Sequence, residues 1–442
     1  MDTIVQDIFN HSSSIMKGHL EERVAEEIKK RIADAIIVAY GAKDAEPVAI
    51  ERKALLPSSS SLNSSVMFSG EKAAVDVASF INGSMVRYID YNDTYLSKEA
   101  LHPSDNIPPI LAVAETLESS GEEILKSIAV SYQTVCSLAD AVSIRNRGWD
   151  HVTYVSVSSA AGLAALAGMD QQEFENTLSL GINNNISMRQ TRAGELSMWK
   201  GCTAANAGRN SVFAYNLARN GFTGPSNIFD GEMGFFKQVS GSFDIDMSHD
   251  RILKTMIKNY PVEYHAMSAA EETLALRPKI SGEIKKIQVE TFDVAHQIII
   301  KDPEKLRPST KETADHSMPY IIAYCLVHGT PTPQSYDARY LHDQKILSLI
   351  DLMEFTVTER FNRMYPESLP FRISITTNNG TVEGEMNAPK GHHKNPYSWD
   401  DVYGKGERVM GAERSKEIID LVRSFENRSA KDLMEATESV SS

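Results

Sequence analysis

The sequence has only three cysteines, Cys136, Cys202 and Cys325, and no two of them stand at CxxC or similar spacing. A disulfide framework is therefore not expected. Nothing here has the ligand pattern of a Cys-bound iron–sulfur cluster or a structural zinc. Long apolar runs are missing too: no stretch reaches the ~18 residues of a membrane span. The start, MDTIVQDIFNHSSSIMKGHLEERV, lacks the basic end and apolar stretch of a signal peptide, so an intracellular, cytoplasmic protein is expected. No HExxH, P-loop, GxSxG or GxGxxG occurs, and no metal, nucleotide or other cofactor is expected. Positive charge is in short supply, with 45 Lys and Arg against 59 Asp and Glu and a net charge of −14. That balance argues against nucleic acid and anionic membranes as partners. It leaves room for a small anionic substrate, because a local cationic pocket can hold one inside an acidic protein.

What is present is ordinary globular composition, 42% apolar and 24% charged, over 442 residues. That length suits two or three domains of about 100–200 residues each. Up to about residue 265 the apolar spacing is helical. One helix is predicted over Leu20 to Tyr40, with Val24, Ile28, Ile32, Ala35 and Ile36 on one face, and another over Glu71 to Tyr88. Ser120 with Glu123 forms a capping box, and Asp170 with Glu173 an acidic cap. The small-residue stretches SVSSAAGLAALAG and GCTAANAGRNSVFAYNLA let helices approach closely. After about Ala270 the pattern changes. IKKIQVETF (Ile284 to Phe292) and MEFTVTER (Met353 to Arg360) read as strands. Phe371 to Thr377 and Thr381 to Met386 read as a hairpin with a type I′ turn at Asn379-Gly380. A helix capped by Ser309 and Glu312 is predicted to run to Gly329, and another over Ser415 to Glu426. The expected fold is mainly α. A large all-helical domain is built from residues 1–269 and 395–442, and a smaller α+β domain is inserted over 270–394.

The densest chemistry lies in YIDYNDTYLSKEALHPSDNI, Tyr88 to Ile107, where Asp90, Asn92, Asp93, Thr94, His102, Ser104, Asp105 and Asn106 crowd together. Each of these polar residues singly suits a turn or a helix cap. Together with His102 and the aromatics Tyr91 and Tyr95 they suit proton transfer on a small polar substrate. Four further stretches supply partners: His151 beside Trp149 and Asp150; Arg189, Arg192 and Lys200; Lys258, Glu263, Tyr264 and His265; and Asp315, His316 and Tyr320. Each has a structural reading of its own, such as a core histidine satisfied by Asp150 or an arginine on the surface. As a set they offer several cations and several acid–base groups. The chemistry that fits is removal of a weakly acidic proton beside a carboxylate, with Lys, Arg and His donors stabilising the extra negative charge. Dehydration of a hydroxy acid, decarboxylation and epimerisation all pass through such a state.

The residues that carry this chemistry also carry a resemblance. RYIDYNDTYL (Arg87 to Leu96), HPSDNI (His102 to Ile107), GWDHVTY (Gly148 to Tyr154), MWKGCTAANAGRN (Met198 to Asn210), YPVEYHAMSA (Tyr260 to Ala269) and ADHSMPY (Ala314 to Tyr320) stand in this order, followed by Gly391-His392 and Asn395-Pro396. In these motifs, over nearly its full length, the chain resembles the MmgE/PrpD family of 2-methylcitrate dehydratases, cis-aconitate decarboxylases and related epimerases. The resemblance implies a cofactor-independent homodimer with a helical domain, an α+β lid and an active site between domains. It implies catalytic roles for Asp90, Thr94, His102, His151, Lys200 and Tyr320, and a place in the pocket for Lys258. Arg189, Arg192 and His265 are expected to bind substrate with Lys258. The DYNDTYL and HPSDNI wording is most like the methylcitrate dehydratases. It implies a hydro-lyase that converts 2-methylcitrate to 2-methyl-aconitate in the methylcitrate cycle of propionate catabolism. A decarboxylase or epimerase using the same pocket, and a non-catalytic tricarboxylate-binding homologue, are the alternatives.

Overall fold

The computed structural model describes residues 2–58, 63–183, 185–194 and 196–438. The chain is mainly helical and forms two compact units. One comprises the chain up to residue 193 with 198–255 and 398 onward, and the other comprises 256–397 with the short piece 194–197.

The first unit is a helix bundle. The predicted early helix is Glu22–Ala42, and it buries Val24, Ile28, Ile32, Ala35 and Ile36 as its spacing requires. The next begins later than expected, at Val75, because Glu71–Ala73 (β2) pairs antiparallel with Ser64–Val66 (β1). The unit is therefore not wholly helical. Val152–Leu166 is buried along its whole length and lies among Gly121–Ala141, Gln171–Asn183 and Trp199–Arg219. Gly121–Ala141 starts at the predicted Ser120–Glu123 capping box. The small residues do what their size permits. A Cβ on Gly83 would lie 2.8 Å from Cβ of Ala205, and one on Gly201 would lie 3.0 Å from Cα of Tyr88. Helices Val75–Tyr88 and Trp199–Arg219 are thus in backbone-close contact, which sets the first turn of the second against the last turn of the first.

The second unit holds a four-stranded sheet in the order β4-β3-β5-β6. Its strands are Ile284–Thr291 (β3), Met353–Val357 (β4), Phe371–Thr377 (β5) and Gly380–Met386 (β6). β3 runs parallel to β4 and antiparallel to β5, and β5 pairs antiparallel with β6. Burial alternates along β5, whose Phe371, Ile373 and Ile375 face the core. Helix Met267–Leu276 packs on β5 and β6, and the unit runs over 256–397 where 270–394 was expected.

Three local expectations are corrected. The hairpin loop is Asn378-Asn379, since Thr377 pairs with Gly380, and neither asparagine has the positive φ of a type I′ turn. The helix expected from Ser309 to Gly329 is two helices. Thr310, not Ser309, caps Lys311–Ala314, and Ser317 caps Met318–His328. Pro319 lacks an N–H and clashes with the carbonyl four residues back, so it sits in the first turn of a new helix. The last predicted helix, Ser415 to Glu426, is shifted to Ala412–Arg423, and a helix that was not expected, Trp399–Met410, precedes it behind a Ser398–Asp401 capping box.

Candidate active site

In the first unit the polar residues gather where helices end and begin. Helix Val75–Tyr88 stops, and Asp90 turns the chain with φ 51, a left-handed conformation that costs a non-glycine residue about 1 kcal/mol or more. The loop then pairs Tyr95 with Leu101 and enters the 3-10 turn Pro103–Asn106 ahead of helix Ile107–Leu117. His151 is the N-cap of Val152–Leu166, and Lys200 lies in the first turn of Trp199–Arg219. A lysine there has the wrong sign for the helix dipole. Asp90 answers it, with Oδ2 3.7 Å from Lys200 Nζ.

Asp90 also pairs with Arg87, whose Nη2 lies 2.9 Å from Nε2 of His102. Nδ1 of His102 is 2.7 Å from the carbonyl oxygen of Asp93 and 3.4 Å from Oγ1 of Thr94. A carbonyl accepts only, so Nδ1 carries the proton and Nε2 accepts from Arg87. His102 is therefore a neutral imidazole with both nitrogens engaged, and it holds the Arg87 guanidinium in place. The ring of His151 stands 5.9 Å away, centroid to centroid, and is held differently. Its Nδ1 lies 3.1 Å from Oδ1 of Asp150, whose Oδ2 accepts from Nε of Arg192 at 3.0 Å. Nε2 of His151 is buried and has no hydrogen-bond partner among the described residues.

Burial dominates the titration of this cluster. It pushes His151 down to about 3, helped by Arg192, Arg87 and Arg189 and only partly opposed by Asp150. Burial would raise Asp150, but Arg192 and His151 outweigh it and its pKa is lowered. Asp105 goes the other way: burial pushes it up to about 7 in spite of Arg87. The Asn92 amide donates to Oδ1 of Asp105 at 3.4 Å, and Oδ2 has no hydrogen-bond partner among the described residues. Asp93 is buried, pushed up by that burial, and accepts from Ser104 N–H at 2.9 Å and from the Tyr132 hydroxyl at 2.8 Å. Arg189 is half-buried and its pKa is lowered by desolvation.

The second unit holds the other expected residues. Lys258 is fully buried. His265 Nδ1 lies 2.8 Å from Oε1 of Glu263 and Nε2 lies 3.2 Å from the Tyr365 hydroxyl, so neither ring nitrogen is left to bind substrate. Burial would raise Glu263, but His265, His316 and Lys258 hold it at about 2. Asp315 pairs with His316 and with Lys311. Tyr320 departs from its expected role. It lies in an apolar cluster with Tyr324, Tyr336 and Ile346, and its hydroxyl donates to the Ser335 carbonyl at 2.7 Å. It is a core residue whose one donor is in use.

The structure thus brings Asp90, Thr94, His102, His151, Arg192 and Lys200 together in one unit, with Arg189 near enough to act on His151 electrostatically. Arg87 is missing from the expected set, and Asp105 and Asp150, though singled out, are given no role in it. Their signals were present: an arginine at a helix end just before the polar cluster, and acids inside HPSDN and beside His151. The three cysteines are buried, each on a different helix.

For this mainly helical chain with its buried acid–base cluster, the comparisons with known proteins give the family. The chain belongs to the MmgE/PrpD family: the family's N-terminal domain matches residues 6–248 and its C-terminal domain residues 260–427. Among its relatives is the mitochondrial 2-methylcitrate dehydratase of Yarrowia lipolytica, 27% identical over 71% of this chain and 65% of that protein. The 2-methylcitrate dehydratase of Escherichia coli strain K12 is 28% identical over 68% and 66%. The alkylcitrate dehydratase phiI of a fungal species is 27% identical over 75% and 72%. The matched region spans just under two thirds of the first two relatives. No helix among the described residues is long and apolar enough to cross a membrane.

Proposed function

We propose that this protein is a hydro-lyase that removes water from 2-methylcitrate to give 2-methyl-aconitate. The observation that carries the reading is His151, an imidazole oriented through Nδ1 by Asp150 and presenting a buried Nε2 without a hydrogen-bond partner among the described residues. Such a nitrogen has a lone pair able to accept a proton. His151 Nε2 takes the proton from the carbon beside a substrate carboxylate. The electron pair forms the double bond as the neighbouring C–O bond breaks, and the hydroxyl leaves as water after gaining one proton. Asp105, still protonated as pH approaches 7, is assigned the delivery of that proton. Lys200, Arg87 and Arg192 stabilise the charge that builds on the carboxylate. A histidine pushed down to about 3 is a weak base in the free protein. Arrival of a tricarboxylate raises it, because nearby anions favour the imidazolium. The names of the relatives support methylcitrate as the substrate.

The test is ultraviolet absorbance after adding 2-methylcitrate, citrate, cis-aconitate or a simple hydroxy acid to the purified protein. A steady rise with methylcitrate, from the new conjugated double bond, is expected. Binding of methylcitrate by calorimetry without any such rise, or turnover confined to cis-aconitate, would overturn the reading.

A further inference from the structure

The Asp90–Asp93 turn is strained and carries much of the site, yet its own helix supplies few of the contacts that fix it. A further grip comes from far along the chain, in helix Trp399–Met410. Lys405 is completely buried, and its Nζ donates to the main-chain carbonyl of Tyr91 at 2.8 Å. The same ammonium stands 3.7 Å from the centre of the Tyr91 ring and 2.6 Å from Oδ1 of Asp34, which is itself 1% exposed. One turn further on, Arg408 hydrogen-bonds the Tyr91 phenol. Tyr91 is thus held at carbonyl, ring face and hydroxyl by one helix.

A buried ion pair is a poor source of net stability. Desolvating both charges costs several kcal/mol, and apolar replacements of similar volume are often neutral or stabilising. What Lys405 supplies is placement. The Tyr91 carbonyl adjoins the left-handed Asp90, which pairs with Arg87 and Lys200, and Asp93 two residues on accepts from His102. Moving that peptide by a fraction of an ångström would disturb all of these contacts. We infer that Lys405, with Asp34, is a positioning residue that fixes the Asp90–Asp93 turn and hence the cationic arm of the active site. The inference rests on the dehydratase reading for its kinetic consequence and on geometry alone for its conformational one.

The experiment uses the full chain and two variants, Lys405→Arg and the double variant Lys405→Met with Asp34→Leu. The double variant removes both charges while keeping volume. It is expected to melt within a few degrees of the parent, to lose at least thirtyfold in kcat and to change KM less than threefold. Lys405→Arg puts a larger, planar cation into a filled space and is expected to lose at least tenfold in kcat. Either folded variant suffices for the test. Hydrogen exchange supplies a readout without catalysis: the Asp90 and Tyr95 amides, bonded to the Arg87 and Leu101 carbonyls, are expected to lose at least tenfold in protection while helix Val152–Leu166 keeps its own. Parental kcat and unchanged protection at Asp90 in a folded variant would overturn the inference. A parent protein that does not turn over methylcitrate would instead overturn the dehydratase reading, and the exchange result would still decide the role of Lys405.

Discussion

Each unit of this protein holds a carboxylate beside an imidazole, and the two pairs are hydrogen-bonded differently. In Asp150–His151 one ring nitrogen faces the acid, and the other has no hydrogen-bond partner among the described residues. In Glu263–His265 both nitrogens are in use, one on Glu263 and one on Tyr365. The charge balance differs as well. Around His151, three arginines and burial work against the imidazolium, and the histidine gives way to about 3. Around Glu263, the cations prevail over burial and the acid goes down to about 2. A carboxylate–histidine pair is therefore not a catalytic signature by itself. What separates a base from a brace is whether a nitrogen lone pair is left over.

The sharpest way to break this contrast is to remove the two imidazoles in turn. His151→Gln is expected to lower kcat about 10²–10⁴-fold, the usual worth of a positioned general base, with little change in melting temperature. Lys200→Met comes next, at roughly 10²-fold, the scale of one lost electrostatic contact to a developing charge. His265→Gln is expected to cost about tenfold or less, since it loses hydrogen bonds worth ~1 kcal/mol rather than the base. Initial rates on methylcitrate rank the three. Equal losses at His151 and His265 would erase the distinction drawn here.

A subtler probe uses stability against pH. His151 has a folded pKa below its unfolded value near 6.5, so the unfolded chain binds the extra proton and stability falls as pH drops from 6.5 toward 3. Glu263 is also depressed, from 4.5 to about 2, so its contribution is present above 4.5 and is lost as pH falls toward 2. Asp105 has the opposite sign. Its folded pKa is raised from 3.8 to about 7, so it lowers stability as pH rises through that window. Asp105→Asn is accordingly expected to melt higher than the parent at pH 8, by ~2–4 °C per kcal/mol recovered, and to lose that advantage near pH 4. Thermal melts at both pH values check it. A variant that melts lower at pH 8 would show that Asp105 is ionised without penalty.

The parts of this fold that were legible in the sequence are those governed by local rules. The Ser120–Glu123 box, the face of Glu22–Ala42 and the alternation of β5 follow from neighbours a few residues apart. Errors arose where two local signals competed. Ser309 and Thr310 are adjacent cap candidates, and Asn379-Gly380 looks like a turn until the pairing of Thr377 with Gly380 shifts it by one residue. Within the site, the residue types and motifs point to Asp90, His102, His151 and Lys200 together, but they do not divide the roles among them. His102 and His151 look alike in sequence, and only the Asp93 carbonyl and the Arg87 guanidinium show that one is engaged at both nitrogens. Tyr320 sits in a motif beside Asp315 and His316, and its helix turns it into the core. Lys405 and Asp34 carry no motif, and their pairing across 371 positions of chain has no local trace.

The first unit is assembled from sequence on both sides of the second, and that has a consequence for how the protein is made. Helices Trp399–Met410 and Ala412–Arg423 pack on Glu22–Ala42. During translation, at about 5–20 residues per second, the early helix waits roughly 20–75 s for these two partners. The second unit, continuous apart from residues 194–197, emerges whole before that happens. The nascent chain thus carries the early helix, still lacking these two partners, past the whole of the second unit. Over that interval the first unit cannot complete its packing, so its last-made helices close a bundle begun at the other end of the chain.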